Sequence, residues 1–234
     1  FVLGEPVSEI KYVCRNVDII MARLIKNETV ELFGKNATVP FINGCDNSYH
    51  PCQILADALT ILEKFGTLDV NLMYIGAKNN VFNSHVEFFS KMKKGTLYGL
   101  TPLVNETACG PDFYEEAKKS GHYIELDPSM SMEEAKEYAN KMDVLYTDTW
   151  VDMEFFNNPA YQKQKEETLA KMMPYQLNGD FTKDSKAIVF HDMPMHVGFE
   201  ISQDVVDKNL DHILDEAENR RHAEKAVMYT LLNS

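Results

Sequence analysis

A chain of 234 residues, 44% of them hydrophobic and 25% charged, can bury a real core as one large domain or two small ones. Its formal net charge of −13, with 36 acidic against 23 basic residues, excludes nucleic-acid binding without a concentrated basic patch. The best such patch, Lys91-Met-Lys-Lys94, reads as a solvated helix end, and no apolar run reaches the length of a membrane span.

The elements come as alternating short apolar runs and amphipathic stretches, the pattern of an α/β protein with a mostly parallel sheet. In chain order, strands are expected at 18–22, 39–42, 70–75, 96–100, 122–126, 144–147 and 187–190, with helices at 28–35, 51–65, 81–93, 112–120, 131–140, 159–172 and 216–232. Pro51 sits at a first-turn position, and Ser131-Met-Glu-Glu134 has the form of a capping box. A polar break at Gly44–Tyr49 divides the tail of one α/β unit, residues 1–48, from a second, 49–207; the last helix, 208–234, is free to close either and is expected to pack back towards the first. The opening Phe1-Val-Leu-Gly4 lacks an initiator methionine and starts in mid-fold, so an N-terminal part is expected to be missing. The four cysteines, Cys14, Cys45, Cys52 and Cys109, form no CxxC pair and read as reduced, inert thiols. With no signal peptide in view, that points to the cytoplasm or an organelle matrix.

Unusual residues gather just after the strands, where open α/β sheets bind ligands. Arg23 follows the first strand, Asn43-Gly44 the second, Gly76-Ala-Lys-Asn-Asn80 the third, Asp148-Thr-Trp150 the sixth and His191-Asp-Met-Pro194 the seventh. Five polar constellations at five strand ends describe a binding cleft.

Each motif has two readings. His50 and Gln53 share one face of a helix's first turn, where they either donate to an oxygen gaining negative charge or merely cap the helix. The glycine of Gly76-Ala-Lys-Asn-Asn80 serves a tight turn, and its asparagines either cap the next helix or bind a carboxylate. Asp148 either caps a segment or holds a cation. His191-Asp-Met-Pro-Met-His196 contains zinc-type ligands, but adjacent side chains on a strand diverge and no third ligand is placed, so no metal is expected; Met193-Pro194 is a candidate cis bond. Arg220, set near the expected start of the last helix against the dipole, either serves a ligand or pairs with Glu216 or Glu224.

Taken together, His50-Pro-Cys-Gln-Ile-Leu-Ala-Asp57, Asn79-Asn80-Val81, Tyr146-Thr-Asp-Thr-Trp150, Pro174-Tyr-Gln-Leu-Asn178 and Ala217-Glu-Asn-Arg220 resemble the aspartate/ornithine carbamoyltransferase superfamily, its ornithine branch more closely. The resemblance runs from about Gly4 to the end. It implies parallel-sheet three-layer sandwich domains, with the second, acceptor-binding domain complete and the carbamoyl-phosphate-binding domain only partial. It also implies a homotrimer, no cofactor, and carbamoyl phosphate and an amine acceptor as substrates. By position Arg23, His50, Gln53 and Arg220 are expected to hold carbamoyl phosphate, and Asn80 and Asp148 the acceptor's α-carboxylate and α-amino group.

Three departures from the family pattern bear on function. The Ser-Thr-Arg-Thr phosphate loop is absent from the chain. The acceptor loop Ser-Met-Gly reads Asp152-Met153-Glu154, whose carboxylates attract extra positive charge. His-Cys-Leu-Pro reads His191-Asp-Met-Pro194, which sets Asp192 and Met193 beside the reacting groups; Asp192 is placed to accept the amine's proton or to hold the amine protonated. The expected function is carbamoyl transfer to ornithine or another cationic amine. The alternative is a non-catalytic paralogue acting as a binding or regulatory subunit.

Overall fold

The structure is a computed structural model that describes residues 4–151 and 156–234. Helix α1 (Pro6–Cys14), strand β1 (Ile20–Arg23), helix α2 (Asn27–Asn36) and strand β2 (Phe41–Cys45) form a small unit. Its two strands pair in parallel, and its core is Ile10, Cys14 and Phe33. Sequence periodicity did not reveal α1. The helix is set by Pro6 in its first turn and by Glu5, whose carboxylate accepts from the backbone of Val7 at 3.0 Å and Ser8 at 2.7 Å. Only Ile10 and Cys14, one turn apart, are buried, too narrow a stripe to read from the sequence.

After α3 (Pro51–Phe65) the chain lays down β3 (Asn71–Lys78), α4 (Asn80–Met92), β4 (Thr96–Val104), α5 (Pro111–Lys118), β5 (Tyr123–Glu125), α6 (Met132–Ala139), β6 (Val144–Thr147), α7 (Gln162–Met172) and β7 (Ile188–His191). The five strands make one wholly parallel sheet in the order β5-β4-β3-β6-β7. Successive residues of β3 face opposite sides: Leu72 and Tyr74 enter one hydrophobic cluster with Val86 and Phe89, while Met73 and Ile75 enter another with Ala135, Leu145 and Val189. Two cores on one sheet are what a helix–sheet–helix sandwich requires, and the parallel three-layer expectation holds. Strands step outward from β3 to β5, and β6 then returns to β3's other side. That reversal puts a crevice at the carboxyl ends of β3 and β6.

The last helix, α8, corrects the sequence reading: it starts at Gln203, not Glu216, and runs 30 residues to Leu232. Charges at Asp204, Asp207, Lys208 and Asp211 dilute its apolar face, of which Val205, Val206 and Ile213 are buried. Arg220 therefore lies well inside the helix, far from the positive end of its dipole. The expected division between residues 207 and 208 likewise falls within α8. This helix lies along α3, where Asn219 donates to Thr60 Oγ1 at 3.0 Å and Glu63 at 2.7 Å, and it meets the sheet edge where Val189 N–H donates to Asn209 at 3.0 Å.

Candidate active site

The segments that follow β1, β2, β3, β6 and β7 converge on one hollow of about 580 Å³, closed on a further side by α8. Arg23, His50, Asn80, Asp148, Asp192, Met193 and Arg220 all line it. The loop after β2 is held by Asp46, whose carboxylate accepts from the side chains of Asn27 and Asn43 (2.8 Å each) and from the backbone of Ser48 and Tyr49 (2.7 Å each). Four donors on one buried carboxylate make the polar break of the sequence a rigid turn into α3.

Arg23 is exposed, and among the described residues it has no ion-pair partner. His50 flanks the start of α3 and donates its backbone N–H to Ser84 Oγ at 2.8 Å. Burial, then the nearby charges of Arg220 and Arg23, push its imidazole down to about 3, so it is neutral at physiological pH and keeps one N–H to donate. Its Nδ1 has no hydrogen-bond partner among the described residues.

Gln53 is placed differently from expectation. It is wholly buried and does not line the hollow. Its amide nitrogen donates to Asp57 Oδ1 at 2.8 Å and Glu216 Oε1 at 2.5 Å, while its oxygen accepts from Arg220 Nε at 2.8 Å and from Arg220 Nη2. Gln53 thus positions Arg220 rather than facing a ligand. The guanidinium is fixed further by Asp192, through its carboxylate and, at 3.0 Å, its carbonyl. Even with that partner Asp192 is held well above the usual carboxylate range, first by burial and then by Asp148.

Asn79 caps α4, accepting from Phe82 N–H at 3.0 Å, and donates to Asp148 Oδ2 at 2.7 Å. Asp148 also accepts from Thr149 N–H at 2.6 Å, and burial raises its carboxyl. Asn80 donates to the Asp46 carbonyl at 2.8 Å. Cys45 shares this wall, its thiol pushed up to about 11 by burial and so unreactive. Met193, with φ 50°, precedes the cis Met193–Pro194 bond. The His191 ring turns away from solvent: Nδ1 accepts from Met193 N–H at 3.0 Å, which leaves Nε2 to donate to Glu200 at 3.1 Å. Asp152 and Met153, with Glu154, lie outside the described residues.

The sequence offers Glu216 only as one of two partners for Arg220 at helical spacing. It is fully buried and accepts from His191 N–H at 2.8 Å, Gln53 at 2.5 Å and Tyr146 Oη at 3.3 Å. The available signal was a carboxylate one helical turn before Arg220, which lies on the same face.

Chemically, the hollow brings together two guanidinium groups, a neutral imidazole and the carboxyls of Asp148 and Asp192, with Asp46 engaged by its own loop. Cationic donors suit a phosphate and a carbonyl oxygen that gains charge; carboxylates suit an ammonium group.

Comparison with known proteins agrees with that chemistry. The family model described as the aspartate/ornithine carbamoyltransferase Asp/Orn binding domain matches residues 68–231, and the carbamoyl-P binding domain of the same family matches residues 4–63. The ornithine carbamoyltransferase of Archaeoglobus fulgidus is 34% identical over 98% of this chain and 71% of its own length. That of Pyrococcus horikoshii is 37% identical over 98% of this chain and 70% of its own. Among solved structures, the Pyrococcus furiosus ornithine carbamoyltransferase superposes with a TM-score of 0.83 at 33% identity, covering 99% of this chain and 72% of that one. The anabolic enzyme of Campylobacter jejuni superposes at 0.84 with 26% identity, over 100% of this chain and 76% of its own. This chain belongs to the aspartate/ornithine carbamoyltransferase family and is a carbamoyltransferase.

Proposed function

We propose that the acceptor is an amine carrying a second positive charge, ornithine or a close cationic analogue, and that it meets carbamoyl phosphate in the hollow between the two sheets. The observation that carries this reading is the mixed lining of the hollow: the guanidinium groups of Arg23 and Arg220 and the neutral imidazole of His50 share it with the carboxyls of Asp148 and Asp192, the last of them paired with Arg220. In the proposed step the acceptor's free amine adds to the carbamoyl carbon, the carbonyl oxygen takes up negative charge, and the C–O bond to phosphate then breaks. Arg220 and the single N–H of His50 stabilise that oxygen, and Arg23 meets the phosphate. Asp148 and Asp192 hold the acceptor's cationic end, and the ionised one accepts the proton the attacking nitrogen loses. Asn80 supplies an amide to the acceptor's carboxylate.

The test is a panel of amines with carbamoyl phosphate, scored by kcat/KM: L-ornithine, putrescine, 5-aminopentanoate, which keeps the terminal amine and the carboxylate but lacks the α-ammonium, and L-aspartate. Dicationic amines are expected to lead, and Asp192→Asn to weaken them by about tenfold or more relative to singly charged amines, the loss of one partly buried charge partner. A panel led by L-aspartate or 5-aminopentanoate overturns the reading. The relatives named above bear the name of ornithine, which supports the acceptor class.

A further inference from the structure

Beneath Gln53 lie two groups that carbamoyl transfer does not use: Asp57 on α3 and His85 on α4, both at 0% exposure. His85 Nε2 stands 3.1 Å from Asp57 Oδ2. The other ring nitrogen, Nδ1, lies 2.9 Å from the carbonyl oxygen of Val81. A carbonyl only accepts, so Nδ1 carries the hydrogen. In a neutral ring that leaves a bare lone pair on Nε2 aimed at a carboxylate oxygen, and neither atom has another hydrogen-bond partner among the described residues. Two lone pairs do not rest 3.1 Å apart in a dry interior; a hydrogen lies between them.

We propose that Asp57 and His85 share one buried proton, and that the pair so formed is a positioning device that sets the amide of Gln53 and, through it, the guanidinium of Arg220. With the proton on Oδ2, Asp57 keeps Oδ1 free to accept from Gln53 at 2.8 Å, which points the Gln53 oxygen at Arg220. Without it, the ring must turn and lose Val81, or the carboxylate must swing and release Gln53.

The surroundings agree. The rings of Tyr146 on β6 (4.5 Å) and Tyr74 on β3 (5.8 Å) enclose His85. From α8, Glu216 and Arg220 face Asp57, and Asp148 and Asp192 stand at the strand ends beyond. Burial holds His85 at about 4 against the raising pull of the Val81 carbonyl, Glu216 and Asp148. Burial likewise lifts Asp57 to about 7, against the lowering effect of Glu216, Gln53 and Arg220. Both place the proton on Asp57. An unfolded chain at pH 5 carries the same single proton, on the imidazole instead, so the pair leaves little mark on stability in acid and needs a site-resolved measurement.

The shared proton stands by itself; its positioning role rests on the carbamoyl-transfer reading, and the test separates them. Nitrogen-15 NMR of the wild-type protein at pH 6 is expected to show His85 neutral with its hydrogen on Nδ1; an imidazolium, or a hydrogen on Nε2 alone, overturns the shared proton. Asp57→Asn supplies a permanent hydrogen toward His85 Nε2 while keeping an oxygen for Gln53. The ratio of variant to wild-type kcat/KM for carbamoyl phosphate is expected to climb about tenfold or more between pH 6 and pH 8.5, as the wild-type loses its proton. Taking a ratio cancels the titration of the acceptor amine, and a flat ratio overturns the positioning role. If the variant does not fold, the ratio of wild-type activity to that of His85→Leu, read over the same range, decides it: a pH-independent ratio refutes the role. If no amine is carbamoylated at all, the acceptor reading fails while the NMR result stands.

Discussion

Replacing Glu216 by Leu removes the acceptor on which three buried donors converge: His191 N–H, the Gln53 amide and the Tyr146 hydroxyl. Each donor left without a partner costs about 1–3 kcal/mol, so the gross penalty is about 3–9 kcal/mol. Against it stand the desolvation cost that the carboxyl itself carries and the apolar contacts Leu makes, together about 2 kcal/mol. The expected net loss is about 1–7 kcal/mol, set against the stability of an ordinary domain, about 5–15 kcal/mol. Urea unfolding measures it as a lower midpoint at unchanged slope. Glu216→Gln keeps an acceptor oxygen but turns an amine toward at least one donor, and its loss should fall between wild-type and Leu. A loss below about 1 kcal/mol for the Leu variant would refute the reasoning, because it would mean these donors find other partners.

Arg23 is exposed and without an ion-pair partner among the described residues, so Arg23→Gln should raise the KM for carbamoyl phosphate by about ten- to a hundredfold while leaving the urea midpoint in place; a KM within twofold of wild-type rules out the phosphate contact. His50 has a folded pKa of about 3 against an ordinary 6.5, so it binds fewer protons folded than unfolded. Its contribution is present in full above about pH 6.5 and is lost as the pH falls toward 3; His50→Asn should flatten this acid limb of stability, and a proton NMR titration of the His50 ring with a midpoint near 6.5 contradicts it. Gly95 turns the chain into β4 at φ 66°, and a Cβ there meets the Val70 carbonyl oxygen at 2.3 Å. Gly95→Ala should cost about 2 kcal/mol or more and lower Tm by about 4–8 °C by calorimetry; a shift under about 1 °C shows that the turn relaxes without strain.

The sheet was legible because its strands are buried on both faces and read as short apolar runs: the expected 144–147 strand is β6 as found, and Pro51 fixed the start of α3. The meeting of polar residues in one hollow was also legible, since strand ends in a parallel sheet share one edge. What the sequence hid were roles set by contacts distant along the chain. Gln53 looked like a ligand donor three residues after His50, but its place in the first turn of α3 turns it inward onto Glu216, 163 residues away. The sequence offers Glu216 only as a helical-spacing partner for Arg220 and Asp57 only as the end of a motif, because nothing local tells a carboxylate in the core from one in water. The start of α8 was masked by charges interleaved with its apolar residues.

The span of α8 has a consequence for how this stretch of chain is able to change. Val205 and Val206 anchor one end of the helix in the sheet's core, and Arg220 projects from the same rod into the hollow. One added residue between them would swing the guanidinium about 100° around the axis and advance it about 1.5 Å, off Gln53 and Asp192 together. A whole added turn would restore the heading but overshoot by about 5 Å. From 206 to 220 the chain therefore keeps count as a ruler does: letters are exchangeable there, their number is not.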